Sequence, residues 1–419
     1  MTFRTWTGLF FVAVFASTSS TPALFAAGRG RSIEAGGPPP TVSAKAIVVM
    51  DDTTGAILYS KNPDLPIPPA SLTKLVTLDV VYDELDSGKL SRSQIVTIDP
   101  RDCSPIIPAG SSIMYLQPGM HVSIEDLMLG TAVVSGCDGA FALARAVSGS
   151  SEEFAKLMNA DVEAKGLYAL HFVEPSGLSE KNIITAREFA EFCRMYLEDH
   201  PESIAELHSV RSIDFPRPEN ATANFVPKGN TIQYNRNNLV FDYPGCDGLK
   251  TGYIVESGFN LAATAERDGT RFIVVTLGGS GTSSAGGGAV RASDGAKILD
   301  WSFANWRTAA PKVPDLPTIR AWYGSAQRIS LVPAATLAVT LPPAEIASLS
   351  VRAEIDRDTM APVIKGERLG EVIYTSGSAV VRRVNLVASA DDPRGNFFVV
   401  LRDAVERLFR SIFSPASPA

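Results

Sequence analysis

From Ala44 onward the chain alternates between two hydrophobic periods. "AKAIVVMDDTTGAILYSKN" is two β-rich runs on either side of the turn residues Asp51 to Gly55, which predicts a hairpin. "PPASLTKLVTLDV" then opens a long apolar run. "SIEDLMLGTAVVS", "DGAFALARAV" and "SEEFAKLMNADVEAKGL" each carry apolar residues at helical spacing behind a Ser cap or an acidic first turn, which predicts a helical block. "GFNLAATAERDGTRFIVVTLGG" returns to strands joined by an "RDG" turn, and "SDGAKILDWSFANW" predicts a closing helix. Strand, helices, strands and a final helix predict an α+β domain over residues 44–310 whose two ends share one sheet.

After the Pro-rich "RTAAPKVPDLPT" the pattern shortens. "RISLVP", "TLAVTLP", "LSVRAEI" and "RVNLVASA" alternate between turn residues, which predicts a small all-β sandwich over residues 318–391 with no catalytic constellation of its own. Residues 394–413 return to the helical period. Phe397, Leu401, Val405, Leu408 and Ile412 form one stripe, widened by Phe398 and Phe409, while Asp403, Glu406 and Arg410 lie opposite and Arg402 and Arg407 flank it. The stripe predicts an amphipathic helix lying in the interface of a membrane, its arginines beside anionic headgroups; eighteen residues (396–413) with five charges are too polar to span. A helix docked on the β-domain fits the same pattern.

Composition narrows the classes. The chain has 419 residues and a net charge of −7 without long runs, and lacks a basic stripe, which argues against a nucleic-acid partner. Its first residues, "MTFRTWTGLFFVAVFASTSSTPALFAAG", combine an early arginine, an apolar stretch from Leu9 to Ala16 and small residues near Ala26. This predicts a secretory signal peptide over residues 1–26, an exported protein of the periplasm, and a Gly/Pro-rich linker over residues 27–43. The four cysteines, Cys103, Cys137, Cys193 and Cys246, fit no zinc spacing, and no His/Asp/Glu cluster has ligand spacing, so neither metal nor cofactor is expected. Buried small hydrophobes or one optional bridge are the default for the cysteines other than Cys137; a redox-sensitive Cys137–Cys246 disulfide has poor geometry, since Cys246 precedes Lys250 by four strand residues, roughly 13 Å.

The chemistry begins with Ser71 and Lys74. Residues three apart on a helix share a face, so the lysine can reach the serine oxygen, and burial disfavours an ammonium and favours the neutral amine that acts as a base. Free N–H groups at a helix start can bind an oxyanion. A serine N-cap beside a snorkelling lysine fits the same four residues. Two further stretches decide in favour of chemistry: "VVSGCDGAFALA" puts Ser135 on a small-residue turn between two predicted helices, and "GCDGLKTGYIVESG" puts Lys250, Thr251 and Gly252 on a strand. S-x-x-K, S-D-N and K-T-G together are the signature of β-lactamases and penicillin-binding proteins, and all three slots appear here in that order.

Through these motifs, with "PPASLTKL" and "RNNLVFDYPGCDGLKTGY", the chain resembles the low-molecular-mass penicillin-binding proteins of the D-alanyl-D-alanine carboxypeptidase family over nearly everything after the signal peptide. The resemblance implies a DD-peptidase fold, a helical block over an antiparallel sheet, followed by the β-domain and a helix that holds the enzyme on the outer face of the cytoplasmic membrane. It implies that Ser71 attacks the bond between the two terminal D-alanines of a peptidoglycan stem pentapeptide, that Lys74 takes its proton and that Ser135 passes it to the leaving amine. It further implies that Lys250 supplies positive potential, Thr251 and Arg291 bind the terminal carboxylate, Gly252 belongs to the same strand motif, and the backbone N–H groups of Ser71 and Tyr253 hold the oxyanion. β-Lactams would acylate Ser71. Cys137 departs from the family pattern, which usually has asparagine there; a thiol is a weaker donor and acceptor than an amide, so slower turnover is expected.

Three alternatives share the motifs: a DD-transpeptidase, a β-lactamase and a non-catalytic wall-binding scaffold. The β-lactamase reading lacks its water-activating pair, since Glu174 is followed by Leu178 where an asparagine is required, and the intact Ser71, Lys74, Ser135 and Lys250 argue against a scaffold.

Overall fold

Strand β1 (Ala46–Asp51) is buried along its whole length because it is covered on both sides. Its alternate residues Ala46, Val48 and Met50 face a helical block, while Ile47 and Val49 face the opposite layer. The computed structural model describes residues 37–413 apart from 104–106, 228, 230, 282, 327 and 357; the expected signal peptide lies outside the described residues. Strand β2 (Ile57–Lys61) returns from the expected turn, and β3 (Cys246–Ile254), β4 (Gly258–Arg267) and β5 (Thr270–Gly279) complete an antiparallel sheet of order β2-β1-β5-β4-β3. The first and last parts of the domain meet where Val48 pairs with Val275.

The helical block consists of α1 (Thr73–Asp86), α2 (Ile124–Val133), α3 (Cys137–Ser148), α4 (Ser151–Ala164) and α5 (Ala186–Asp199). Ser123 caps α2 by accepting from Asp126 N, and Ser150 caps α4 by accepting from Glu153 N. Helix α1 is central. Every residue from Thr73 to Tyr82 is buried, which follows from a sequence with apolar residues all round. On the other face of the sheet lies α6 (Ser284–Asn305), whose Ile298, Leu299 and Phe303 pack against Phe272 and Val274. It begins earlier than the closing helix expected from sequence. Residues just before β1 are tied down too: Ser43 donates from both N and Oγ to Asp294.

A second core follows, built from Ile319, Leu331, Val339, Val372, Tyr374 and Leu386. Strands β6 (Leu331–Pro333), β7 (Leu349–Ile355), β8 (Arg368–Ser376) and β9 (Ala379–Ala388) form an antiparallel sheet of order β6-β9-β8-β7, and Arg307–Ala309 pairs with Val339–Leu341 in a second, two-stranded one.

Helix α7 (Phe397–Phe413) ends the described chain. Its charged side faces the β-domain. Asp403 is fully buried and accepts from Arg320 at 2.9 Å and Tyr323 N at 2.8 Å, Glu406 pairs with Arg320 at 2.7 Å, and Arg407 pairs with Asp358 at 2.7 Å. The apolar stripe faces outward, with Phe397, Phe398, Leu408 and Ile412 all exposed. Arg407, expected to stand beside anionic headgroups, is instead held by Asp358, and the buried Asp403 is supplied with donors by the β-domain. Among the described residues no helix is long and apolar enough to cross a membrane.

Candidate active site

Ser71 lies in a single 3-10 turn, Ala70–Leu72, that runs straight into α1. The turn is the reason that Lys74, in the first turn of α1, points back at it. Lys74 is fully buried, and its Nζ meets three acceptors: Ser71 Oγ at 2.9 Å, Ser176 O at 2.5 Å and Cys137 Sγ at 3.3 Å. Three polar neighbours thus surround the nitrogen. Ala70, directly before the serine, holds a left-handed φ of 51°. That conformation costs a non-glycine residue about 1–2 kcal/mol, and it persists here because Ala70 is fully enclosed.

Ser135 occupies the turn between α2 and α3, as the small residues around it predicted, and is also left-handed, at φ 64°. The turn is held by Gly136 N donating to Gly130 O and Cys137 N donating to Ser112 O. Cys137 begins α3 with its sulfur on Lys74. All four cysteines are buried free thiols, so the Cys137–Cys246 pairing does not form.

The third motif lies on β3, next to the turn that carries Ser71. A Cβ placed on Gly252 would stand 2.7 Å from Pro69 O and 3.1 Å from Ser71 N, so only glycine lets the strand approach the serine backbone this closely. Asn260 on β4 reinforces the contact by donating to Pro68 O at 3.0 Å. Lys250 is almost wholly buried. Burial, then the positive charges of Lys74 and Arg291, hold its pKa well below the ordinary lysine value. Arg291 arrives from α6, with Nη1 3.4 Å from Gly252 O and Nη2 3.4 Å from Arg236 O. Burial lowers its pKa to about 10, so it remains a cation at neutral pH. Thr251 is buried beside it, and the half-exposed Tyr253 ring stacks on Phe259 at 4.4 Å. Among the described residues, no carboxylate forms an ion pair with Lys74, Lys250 or Arg291. A site that gathers these basic groups without a carboxylate partner is arranged for an anionic substrate.

Sequence reasoning reads Glu174 only against the β-lactamase alternative and misses the contact of its loop with Lys74. Ser176 offers Lys74 a backbone carbonyl, which leaves no side-chain signature. Glu174 organises that loop by accepting from Ser176 N at 2.7 Å, Ser176 Oγ at 2.6 Å, Gly177 N at 2.7 Å, Ser179 N at 3.2 Å and Asn182 Nδ2 at 3.0 Å. Asn182 also reaches Thr73 Oγ1 at 3.1 Å, joining the loop to α1. A carboxylate occupied by five donors is a structural clamp, in keeping with the missing water-activating pair. A second residue outside the motifs is His208, fully buried with Nε2 2.8 Å from Tyr196 Oη. Burial and Lys250 push its pKa down to about 3, so it adds no further charge behind the cleft.

The described residues contain no group of three or more His, Cys, Asp or Glu that could hold a metal ion. The arrangement provides a hydroxyl in contact with a buried amine, a second hydroxyl at Ser135 and a strand that carries Lys250 with Arg291 beside it. These are the parts of an acyl-transfer site.

Comparisons with known proteins agree with that chemistry. A family model described as D-alanyl-D-alanine carboxypeptidase matches residues 34–281, and one described as the C-terminal domain of penicillin-binding protein 5 matches residues 313–394. The chain is 31% identical over 381 residues to the D-alanyl-D-alanine carboxypeptidase DacA of Haemophilus influenzae, covering 90% of this chain and 92% of that one. Penicillin-binding protein 5 from Haemophilus influenzae superposes with a TM-score of 0.73 at 31% identity, covering 86% of this chain and all (100%) of the other. Penicillin-binding protein D2 from Listeria monocytogenes, solved in its ampicillin-bound form, superposes with a TM-score of 0.53 at 26% identity, covering 64% of this chain and 100% of that one.

Proposed function

Because the chain belongs to the D-alanyl-D-alanine carboxypeptidase family, serine hydrolases acting on peptidoglycan, we propose that Ser71 is its nucleophile and that the buried residues around Ser71 divide the reaction among themselves. The single observation that carries this reading is the 2.9 Å contact between Nζ of the fully buried Lys74 and Oγ of the partly exposed Ser71. As a neutral amine, Lys74 accepts the Ser71 proton while Oγ attacks the carbonyl between the two terminal D-alanines. The backbone N–H groups of Ser71 and Tyr253 hold the oxyanion; the approach of Gly252 to Ser71 N supports that pairing. Ser135 relays the proton to the leaving D-alanine, whose carboxylate is bound by Thr251 and Arg291 under the positive potential of Lys250. Water then releases the shortened stem peptide.

Cys137 stands where an amide would contact both lysine and substrate. Its 3.3 Å contact with Lys74 supports retention of the first of those contacts. β-Lactams acylate Ser71 and leave slowly, a reading supported by the fully occupied Glu174.

The protein is exported through its N-terminal signal, works in the periplasm and rests on the outer face of the cytoplasmic membrane through α7. Support for the anchor is the orientation of that helix, with ion pairs holding the charged side and seven large apolar residues, Phe397, Phe398, Leu401, Val405, Leu408, Phe409 and Ile412, exposed from 46% to 77%. The domain organisation follows: a catalytic head over residues 44–310, a β-domain over 318–391 as spacer and the helix as anchor.

Mass spectrometry of a stem pentapeptide incubated with the enzyme tests the reaction. Loss of one D-alanine is the expected product; a joined peptide as the main product would make the enzyme a transpeptidase, and an unchanged pentapeptide would overturn the reading.

A further inference from the structure

Tyr115 is held in a conformation that aromatic side chains avoid. Its φ is 70°, in the left-handed region, yet 47% of the residue is exposed, so no enclosure of its ring explains the strain. The strain is imposed by its neighbours. Asp138, a buried carboxylate in the first turn of α3, accepts from Met114 N at 2.8 Å and from Leu116 N at 3.0 Å, taking hold of the chain on both sides of Tyr115. Gln233 donates to Met114 O at 3.4 Å, and Ser112 O accepts from Cys137 N at 2.9 Å. Met114 and Leu116 are buried beneath, which leaves the Tyr115 ring as the large side chain the loop presents to solvent. The clamp is one residue from Cys137, whose sulfur touches Lys74. Strain maintained by buried polar bonds beside a reactive centre is the mark of a positioned functional group.

We propose that Tyr115 is a specificity-determining residue that reads the side chain of the substrate residue preceding D-Ala-D-Ala, preferring a long chain whose methylenes lie on the ring and whose polar end stays in water. The inference rests on the active site proposed above. There the terminal carboxylate is taken by β3 and α6, so the α3 side, where the loop is bonded, is left to meet the acyl part of the peptide. An exposed phenol ring with a wet edge offers an apolar face for methylenes and a hydroxyl at the water boundary.

The test compares kcat/KM for diacetyl-L-Lys-D-Ala-D-Ala with that for acetyl-L-Ala-D-Ala-D-Ala in the wild-type enzyme, Tyr115→Phe and Tyr115→Asn. Asparagine tolerates the left-handed conformation but has no ring, so this variant folds without the strain and removes only the platform. The wild type is expected to favour the lysine peptide about tenfold, Tyr115→Phe to keep that ratio, and Tyr115→Asn to bring it near one, chiefly through KM. A ratio near one in the wild type, an unchanged ratio in Tyr115→Asn, or a ratio lost equally in Tyr115→Phe would overturn the proposal. Labelling of the wild type by penicillin separates the two readings. If Ser71 is labelled and the ratio is insensitive to the ring, this inference alone fails; if Ser71 is not labelled, the active-site reading fails and this one with it.

Discussion

Lys74 Nζ lies 3.3 Å from Cys137 Sγ, so the position that an asparagine usually fills in this family still contacts the lysine. A thiol accepts that contact weakly and offers the substrate little. Cys137→Asn is therefore expected to preserve or raise kcat/KM for a D-Ala-D-Ala peptide. A fall of more than about a hundredfold, near 2.7 kcal/mol of transition-state stabilisation, would mean that the sulfur has a role the amide cannot take.

Gly252 is expected to be intolerant of any side chain. In Gly252→Ala the new methyl would press on Pro69 O and on Ser71 N, both backbone atoms that cannot rotate away. Penicillin acylation should slow by about a hundredfold, the usual cost of losing one oxyanion donor. Stopped-flow acylation at the wild-type rate would show that the strand does not govern the nucleophile.

His200 predicts a pH dependence of stability. Its ring stacks on Tyr82 at 4.7 Å, and Nε2 lies 3.1 Å from Asp79 Oδ1. Burial works against its charged form, but Asp79, Asp83 and Asp86 outweigh it and raise the pKa above its ordinary value. A raised folded-state pKa means the charged ring stabilises the fold fully below the unfolded value of about 6.5, and that this contribution disappears as pH rises through the folded value. The Tm advantage of the wild type over His200→Gln should thus be largest near pH 6 and shrink toward pH 9. Parallel Tm curves over that range would contradict the coupling.

Much of this site is legible in the sequence, and what is not has a physical reason. Ser71, Lys74, Ser135 and Lys250 are readable because side-chain chemistry and local spacing define them. Ser176 contributes only a carbonyl, and Glu174 and Asn182 act through a loop whose bonds are decided by tertiary proximity. The pattern predicts a later start for α6 because "SAGGGAV" has low helix propensity; Gly287 is kept there by the Phe259 ring, which fills the space a Cβ would need. The apolar stripe of α7 follows from its period, but a helical wheel does not say which side is docked. That depends on Arg320 and Tyr323 N, 83 and 80 residues away in sequence, meeting Asp403.

For the proposed anchor, deleting residues 396–419 should move the enzyme from the membrane to the soluble fraction while the catalytic head still binds penicillin. Continued sedimentation of the truncated chain with membranes would remove α7 from that role.

The central claim is that Ser71, served by Lys74, is the acylated residue. Labelled penicillin followed by peptide mass spectrometry measures it directly. A durable adduct is expected on the peptide containing Ser71, absent in Ser71→Ala and abolished in a folded Lys74→Ala. Equal labelling of Ser71→Ala, normal acylation of Lys74→Ala, or an adduct released as fast as it forms would contradict it.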